Sequence, residues 1–403
     1  VGERDWGKEF DHFDPAYGAD PYQVWADLRE GCPVARSERF RGMWVPVRAA
    51  DIEAVARDTA TWSSRSPLVA DFGSMADFGI QAPPISSDPP YHTHFRKLLL
   101  PFFSPQRMEA LRPGVVAKCD ALIDTLLHGE PDADGWVVAD GAVQYAQHIP
   151  VHVITMLLGI PAEDGELFRG WIHGLLEVGP TDIEAAAHGL LGFGDYLSGQ
   201  ISQRVEHGLG DDLISFLLQA ELDGRRLTPD EVFGGCLLLL VAGIDTTWSA
   251  IGSSVWHLAG NPVDQDRLRR EPELLGSAVE ELLRAYAPVT MAREARADAE
   301  LGGCPVQTGD PLLLAFPAAN RDPELFDRPD EVVLDRSPNR HVAFGVGIHR
   351  CLGSHLARLE VSVALERILA RTGDLRLADP EAVTWSVGQV RGPRRLPLQV
   401  QPA

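Results

Sequence analysis

The sequence predicts a mainly α chain with small β-sheets (α+β), and three observations lead to that class. Residues 105–219 read as successive amphipathic helices, broken near Gly129, Gly159-Ile160-Pro161, Gly179-Pro180 and Gly208 to Gly210. A longer apolar helix is expected from Thr228 to about Leu258. Short β-favouring runs bounded by Gly and Pro occur at residues 43–47, after Pro288, and again from 375 to 400.

Composition narrows the function classes. The 403 residues hold 36 Lys plus Arg against 58 Asp plus Glu, a net charge of −22. That balance argues against a nucleic-acid partner and for a protein kept in solution by self-repulsion. The five cysteines, Cys32, Cys119, Cys236, Cys304 and Cys351, are odd in number and far apart. They fit a reducing compartment better than a disulfide framework, so the cytoplasm is the expected location. Val1-Gly2-Glu3-Arg4-Asp5-Trp6 has no basic segment followed by an apolar run, as a secretory leader would. The strongest apolar run, residues 233–244, falls short of the roughly 18 residues a bilayer span needs, so no membrane association is expected.

Taken in order, Asp20-Pro21-Tyr22 opens a helical pattern through Trp25 and Leu28, and residues 43–47 form a strand. These define a small β-rich lobe over about residues 1–85. Residues 63–87 lack periodicity but carry Leu68, Val69, Phe72, Met75, Phe78 and Ile80, and read as an apolar lid. Asp88-Pro89-Pro90-Tyr91 then starts a helix that sets His92 and Arg96 four apart, on one face, where they can hold an anion together.

Thr228-Pro229-Asp230-Glu231 has the grammar of a capping box for the long helix. Inside that helix lies Val241-Ala242-Gly243-Ile244-Asp245-Thr246-Thr247. Glycine there costs about 1 kcal/mol relative to alanine, and a threonine hydroxyl can bond back to the carbonyl four residues earlier and bend the helix. The expectation is a local distortion that admits a small ligand and supplies a hydroxyl and a proton relay. The plainer reading is a packing glycine beside an exposed acid. Residues 272–285 form a further helix with Glu281 and Arg284 three apart, a pair that matters only if buried. After Pro288 a small sheet should present Arg293 on one strand face.

Phe344-Gly345-Val346-Gly347-Ile348-His349-Arg350-Cys351-Leu352-Gly353 is a glycine-punctuated loop that delivers one cysteine to a helix start. Unpaired N–H groups and the helix dipole there favour a thiolate. Three chemistries can use it. Zinc could take His349, Cys351 and His355, but the paired Cys-x-x-Cys grammar is missing. Nucleophilic catalysis with His349 as base rests on sequence proximity alone. Axial thiolate ligation of haem iron draws in the other features as well. His92, Arg96, Arg293 and His349 could neutralise two carboxylates, Cys351 could ligate one side, and the Gly243 to Thr246 segment could open the other to oxygen.

The ten-residue loop fits the pattern Phe-Gly-x-Gly-x-x-x-Cys-x-Gly at every specified position. Ala242-Gly243-x-Asp245-Thr246-Thr247, Glu281-Leu282-Leu283-Arg284, Ala319-Asn320-Arg321-Asp322-Pro323 and the His92/Arg96 pair accompany it. On these residues the chain resembles a bacterial, soluble, ferredoxin-dependent cytochrome P450 over most of its length. The resemblance implies that residues 1–403 are a single haem domain with the cytochrome P450 fold. Haem b (iron protoporphyrin IX) would lie between the long central helix and the helix after the cysteine loop. Cys351 becomes the axial iron ligand, with Ala242, Gly243, Phe344, Gly345 and Gly353 also against the cofactor and His92, Arg96, Arg293 and His349 as propionate partners. Asp245 and Thr246 become the catalytic pair, and Glu281 with Arg284 a buried structural pair.

The implied reaction puts one atom of O2 into a small hydrophobic substrate by hydroxylation, epoxidation or O-dealkylation, the other atom leaving as water. Leu68, Val69, Phe72, Phe78, Leu238, Val241, Val289 and Met291 would line the pocket. Electrons would come from a ferredoxin and its NAD(P)H-dependent reductase, docking near Lys97, Arg340, Arg350 and Arg358. One departure is visible: where many members carry Pro-x-Arg-Phe, this chain has Pro329-Asp330-Glu331-Val332, which leaves Arg336 or Arg328 as the third member of the ion-pair cluster. The alternatives are a haem-thiolate sensor, which would not need Asp245 and Thr246, and a peroxide-driven peroxygenase, a type that often lacks that pair.

Overall fold

In the computed structural model, which describes residues 4–69 and 81–402, Asp20 accepts hydrogen bonds from the N–H groups of Tyr22 and Gln23. With Pro21 in the first turn it starts the helix Pro21–Gly31, whose buried Val24, Trp25 and Leu28 face a β-sheet core. Phe72, Met75, Phe78 and Ile80 of the expected lid lie outside the described residues.

The sheet runs in the order Val34–Arg36, Trp44–Pro46, Pro311–Leu314, Met291–Ala295, Trp62–Ser63. Leu312 pairs with Trp44 on one side and with Arg293 on the other. The N-terminal lobe and the strands after Pro288, which the sequence suggested as separate units, are therefore one sheet, and the lobe is not confined to residues 1–85. Strands of two to five residues cannot stand as isolated hairpins, so each half needs the other.

The second apolar core is helical. Its axis is the helix Pro229–Gly260, opened by the expected capping box: Thr228 Oγ1 accepts from the Glu231 N–H at 3.2 Å, and Glu231 Oε2 accepts from the Thr228 N–H at 2.7 Å. This helix is long and apolar enough to cross a bilayer, but 61% of its apolar window is buried inside the protein, so its apolarity serves the core. It packs against His148–Leu158 and against Ser354–Arg371, the helix that follows the cysteine loop. The latter buries Leu356, Leu359, Val363, Leu365 and Ile368, the stripe its sequence predicts.

Two expectations needed correction. The region read as successive amphipathic helices contains the strand Val137–Asp140, which pairs with Pro397–Pro402 beside Thr372–Leu377. Four residues are too few for a period to show. The central helix is also unbroken, although Thr246 Oγ1 does donate back to the Ala242 carbonyl at 2.7 Å. One back-bonded hydroxyl leaves the i→i−4 ladder in place.

Candidate active site

Three backbone hydrogen bonds close the cysteine loop on itself: Gly345 N–H to Val342 O, Arg350 N–H to Gly347 O, and Cys351 N–H to Phe344 O at 2.7 Å. Gly345 and Gly347 have φ of +66° and +73°, the left-handed region. Gly347 is doubly constrained, since a Cβ there would come 2.5 Å from the Ala56 carbonyl oxygen at the end of the helix Ala49–Arg57. These turns leave Cys351 exposed by surface area, with its sulfur among the Gly353 N–H, Arg96, Arg350 and Arg358. Burial pushes the thiol up, and the Gly353 N–H with Arg96, Arg350 and Arg358 pulls the other way without overcoming it. Gly353 is the N-cap of Ser354–Arg371, so Cys351 sits just before the first turn. A metal ion would supply the missing driving force, since a coordinating thiol is deprotonated.

Around this loop stand four nitrogen-bearing side chains from three elements. His92 and Arg96 come from the helix Tyr91–Leu99, Arg293 from the strand Met291–Ala295, and His349 from the loop. The His92 and His349 rings lie 4.1 Å apart, and Arg96 Nη2 donates to the Arg350 carbonyl at 2.5 Å. Both ring nitrogens of His92, and Nε2 of His349, are buried without a hydrogen-bond partner. Burial, with Arg96 and Arg293 nearby, lowers His92 to about 4 against a weaker opposing pull from Asp88. Burial, with Arg293, His92 and Arg96, lowers His349 to about 2. Burial also lowers Arg293 to about 10. Two guanidinium groups packed against two neutral imidazoles whose buried nitrogens lack partners suit anionic oxygens. The sequence named all four.

The central helix turns an accessible face in the middle of a buried helix. Leu238, Val241, Gly243 and Thr246 are partly exposed and Ala242 is exposed, while Ile244, Asp245 and Thr247 are buried. Leu238, Ala242 and Thr246 follow at intervals of four and share one face. A Cβ on Gly243 would meet Ile154 Cδ1 at 2.8 Å, so its missing side chain makes room for a neighbouring helix. Val289 and Met291 are partly exposed, and Leu68 and Val69 border a small recess with Arg293.

Asp245 is wholly buried, not an exposed acid. Its Oδ1 accepts from Arg394 Nη2 at 2.7 Å, and its Oδ2 has no partner. Burial raises it to about 6, opposed by Arg394 and assisted by Glu177. Arg394 lies over the Trp248 ring at 4.1 Å, donates to Ser249 Oγ at 3.2 Å and pairs with Glu177 at 2.8 Å. Glu177 lies 3.4 Å from the exposed His173. This arginine was missed. It comes from the strand Pro393–Arg395 near the C-terminus, and no local pattern marks it.

Glu281 and Arg284 are fully buried and paired at 2.8 Å. Arg336 is the third member, with Nε 3.0 Å from both Glu281 oxygens; Arg328 instead pairs with Glu331 at 2.9 Å. Of the expected basic patch, Lys97, Arg340 and Arg350 are exposed, whereas Arg358 is bound to Glu280 and lies over Phe344 at 4.4 Å. Among the described residues no group of three or more His, Cys, Asp or Glu could hold a metal ion, which removes the zinc reading. The His349 ring lies against His92, tilted by 53°, with its unpartnered nitrogen buried, so its position does not support a base for Cys351.

Comparison with known proteins gives a consistent result. The family model described as cytochrome P450 matches residues 200–372. The vitamin D(3) 25-hydroxylase of Pseudonocardia autotrophica is 37% identical over 404 residues, covering 98% of this chain and 97% of its own. The cytochrome P450 monooxygenase PikC of Streptomyces venezuelae is 35% identical, with 95% and 92% covered. Among solved structures, the Bacillus subtilis bacillaene polyketide synthase cytochrome P450 PksS superposes with a TM-score of 0.87 at 32% identity, covering 97% of this chain and 100% of that one.

Proposed function

The chain belongs to the cytochrome P450 family and is a haem-dependent monooxygenase, and from that premise we propose that it oxidises a predominantly hydrophobic organic molecule with electrons from a separate ferredoxin. The observation that carries the reading is the accessible Cys351 beside an acid-poor cluster of His92, Arg96, Arg293 and His349. That donor set fits haem b: Cys351 would hold the iron, and His92, Arg96, Arg293 and His349 would hold the propionates. When bound, haem supplies oxygen activation and transfer of one oxygen atom, with the thiolate's electron donation favouring O–O cleavage.

The rest is done by the chain. Leu238, Val241, Ala242, Val289 and Met291 offer apolar surface, which suits a hydrophobic substrate of the kind a vitamin D(3) hydroxylase takes. Thr246 spends its only O–H on the Ala242 carbonyl, so its oxygen lone pairs can accept a proton donor at the accessible face. Asp245, poised near 6, can hold or release a proton on the side where its Oδ2 is unpaired. Exposed Lys97, Arg340 and Arg350 suit an acidic ferredoxin in the cytoplasm, on a chain otherwise strongly acidic.

Haem-loaded protein supplied with a ferredoxin, its reductase and NADPH, and screened against hydrophobic substrates, tests this reading. A low-to-high spin shift and a product carrying one atom from labelled O2 are expected. Turnover with peroxide but none with ferredoxin would replace the reading by a peroxygenase; haem binding without turnover on either route would leave a sensor.

Thr246→Ala is expected to lower product formed per NADPH by about tenfold or more while NADPH consumption continues, because a positioned hydroxyl contributes on the scale of general acid–base groups. Unchanged coupling would show that another group holds the proton. Arg394→Ala removes the cation that holds Asp245 down, so the carboxyl should rise further from about 6. The ascending limb of the kcat/KM profile should move to higher pH by about one unit or more, with Arg394→Lys partly restoring it. A superimposable profile would exclude Asp245 as the titrating group.

A further inference from the structure

Away from the haem site, two sulfurs converge on one backbone atom. Cys32, exposed at the C-cap of the helix Pro21–Gly31, has its Sγ 3.5 Å from the Val34 carbonyl oxygen. Cys304, half-buried at the start of the strand Cys304–Val306, has its Sγ 4.0 Å from that same oxygen. The hairpin Ala299–Leu301/Cys304–Val306 is pressed onto this point, since a Cβ on Gly302 would come 2.5 Å from Val34 Cγ2. Two thiols that approach one carbonyl oxygen are neighbours, and neither residue is fully buried. Cys119 and Cys236 differ: they are buried, and burial pushes each thiol up to about 12.

We propose that Cys32 and Cys304 are an oxidation site, closing to a disulfide when the protein meets a low-molecular-weight disulfide such as oxidised glutathione. The more exposed Cys32, as thiolate, attacks one sulfur of the reagent and expels one glutathione thiol. Cys304, losing its proton, attacks the Cys32 sulfur of the mixed disulfide and expels the second. Two protein thiols are oxidised and one reagent disulfide is reduced to two thiols. The bond staples the end of the N-terminal helix to the hairpin that follows the Arg293-bearing strand, joining parts of the small lobe that are distant in sequence.

The test treats haem-loaded enzyme with excess oxidised glutathione, followed by non-reducing peptide mapping. The expected outcome is a peptide joining Cys32 to Cys304, a mass lower by two hydrogen atoms, two fewer titratable thiols and a raised thermal unfolding midpoint, all reversed by reductant. Cys32→Ser and Cys304→Ser should each abolish the linked peptide while keeping the haem spectrum of the reduced protein. A glutathione adduct that stays on Cys32 with Cys304 free, an unchanged thiol titre, a link involving another cysteine, or linkage without a raised midpoint would overturn the proposal.

Discussion

Cys351→Ala is expected to abolish the thiolate-type carbon monoxide difference spectrum and to lower oxygen insertion by at least about a thousandfold. The size of the effect follows from how little else the protein offers as an iron ligand. His349 and His92 are turned to one another, and Arg96 and Arg293 can only bind anions. The variant should still fold. The residue is exposed, and what it contributes to the loop is its backbone N–H bond to Phe344, which alanine keeps. Cys351→Ser distinguishes ligation from packing: a hydroxyl fills nearly the same volume but is a much harder and more basic donor, so it should also lose the thiolate-type band. Circular dichroism and haem content, measured with the spectrum, separate ligand loss from misfolding. A wild-type band in folded Cys351→Ala protein would place the iron ligand elsewhere.

What the sequence disclosed was whatever its chemistry keeps contiguous. The cysteine loop needs its glycines because only they adopt the turns at 345 and 347, and in Gly347 because the Ala56 carbonyl is so close. The four basic side chains were readable through their motifs, although they lie on three elements. Asp245 was readable as an odd acid after an apolar run, but not Arg394, which pairs with it from 149 residues away. At Gly243 the sequence does not show the packing against Ile154, because a glycine leaves the same mark whether the space beside it is filled by a ligand or by a neighbouring helix. The five-stranded sheet was seen as two pieces, since pairing across most of the chain leaves no local period. For the same reason five scattered cysteines looked unrelated, while two of them approach one carbonyl.

Arg284→Ala is expected to cost about 3–5 kcal/mol, a large part of the roughly 5–15 kcal/mol that holds a typical domain folded. All five guanidinium N–H groups are spent. Nε and Nη2 clasp Glu281 at 2.8 and 2.9 Å, Nη1 donates to the Asn320 and Pro329 carbonyls, and Nη2 also donates to the Glu331 carbonyl. Removing the side chain strands those carbonyls and leaves Glu281 buried. Glu281 would still have Arg336, the Val333 N–H and Asn339, which limits the loss. Arg336→Ala should cost less, because it leaves the bidentate pair intact. Arg284→Lys should rescue little, since an ammonium cannot span both carboxylate oxygens and three carbonyls.

Denaturant unfolding measures the order, Arg284→Ala below Arg336→Ala below wild type. If Arg284→Ala falls within about 1 kcal/mol of wild type, the pair is not what holds this region. A second readout is haem retention. Asn320, whose carbonyl Arg284 holds, accepts the Val342 N–H at 2.7 Å through its side chain, and Val342 in turn accepts the Gly345 N–H. Loosening Arg284 should therefore reach the cysteine loop and speed haem loss.

Acid should act on the neighbouring carboxylate in the same direction. Burial would raise Glu280, but Arg358 and His341 outweigh it and hold it at about 2, below its ordinary 4.5. A carboxylate depressed in the folded state contributes fully above its unfolded value, and that contribution is lost as pH falls through the folded one. Between about 4.5 and 2 the protein should lose both stability and haem, with Glu280→Gln flattening that dependence.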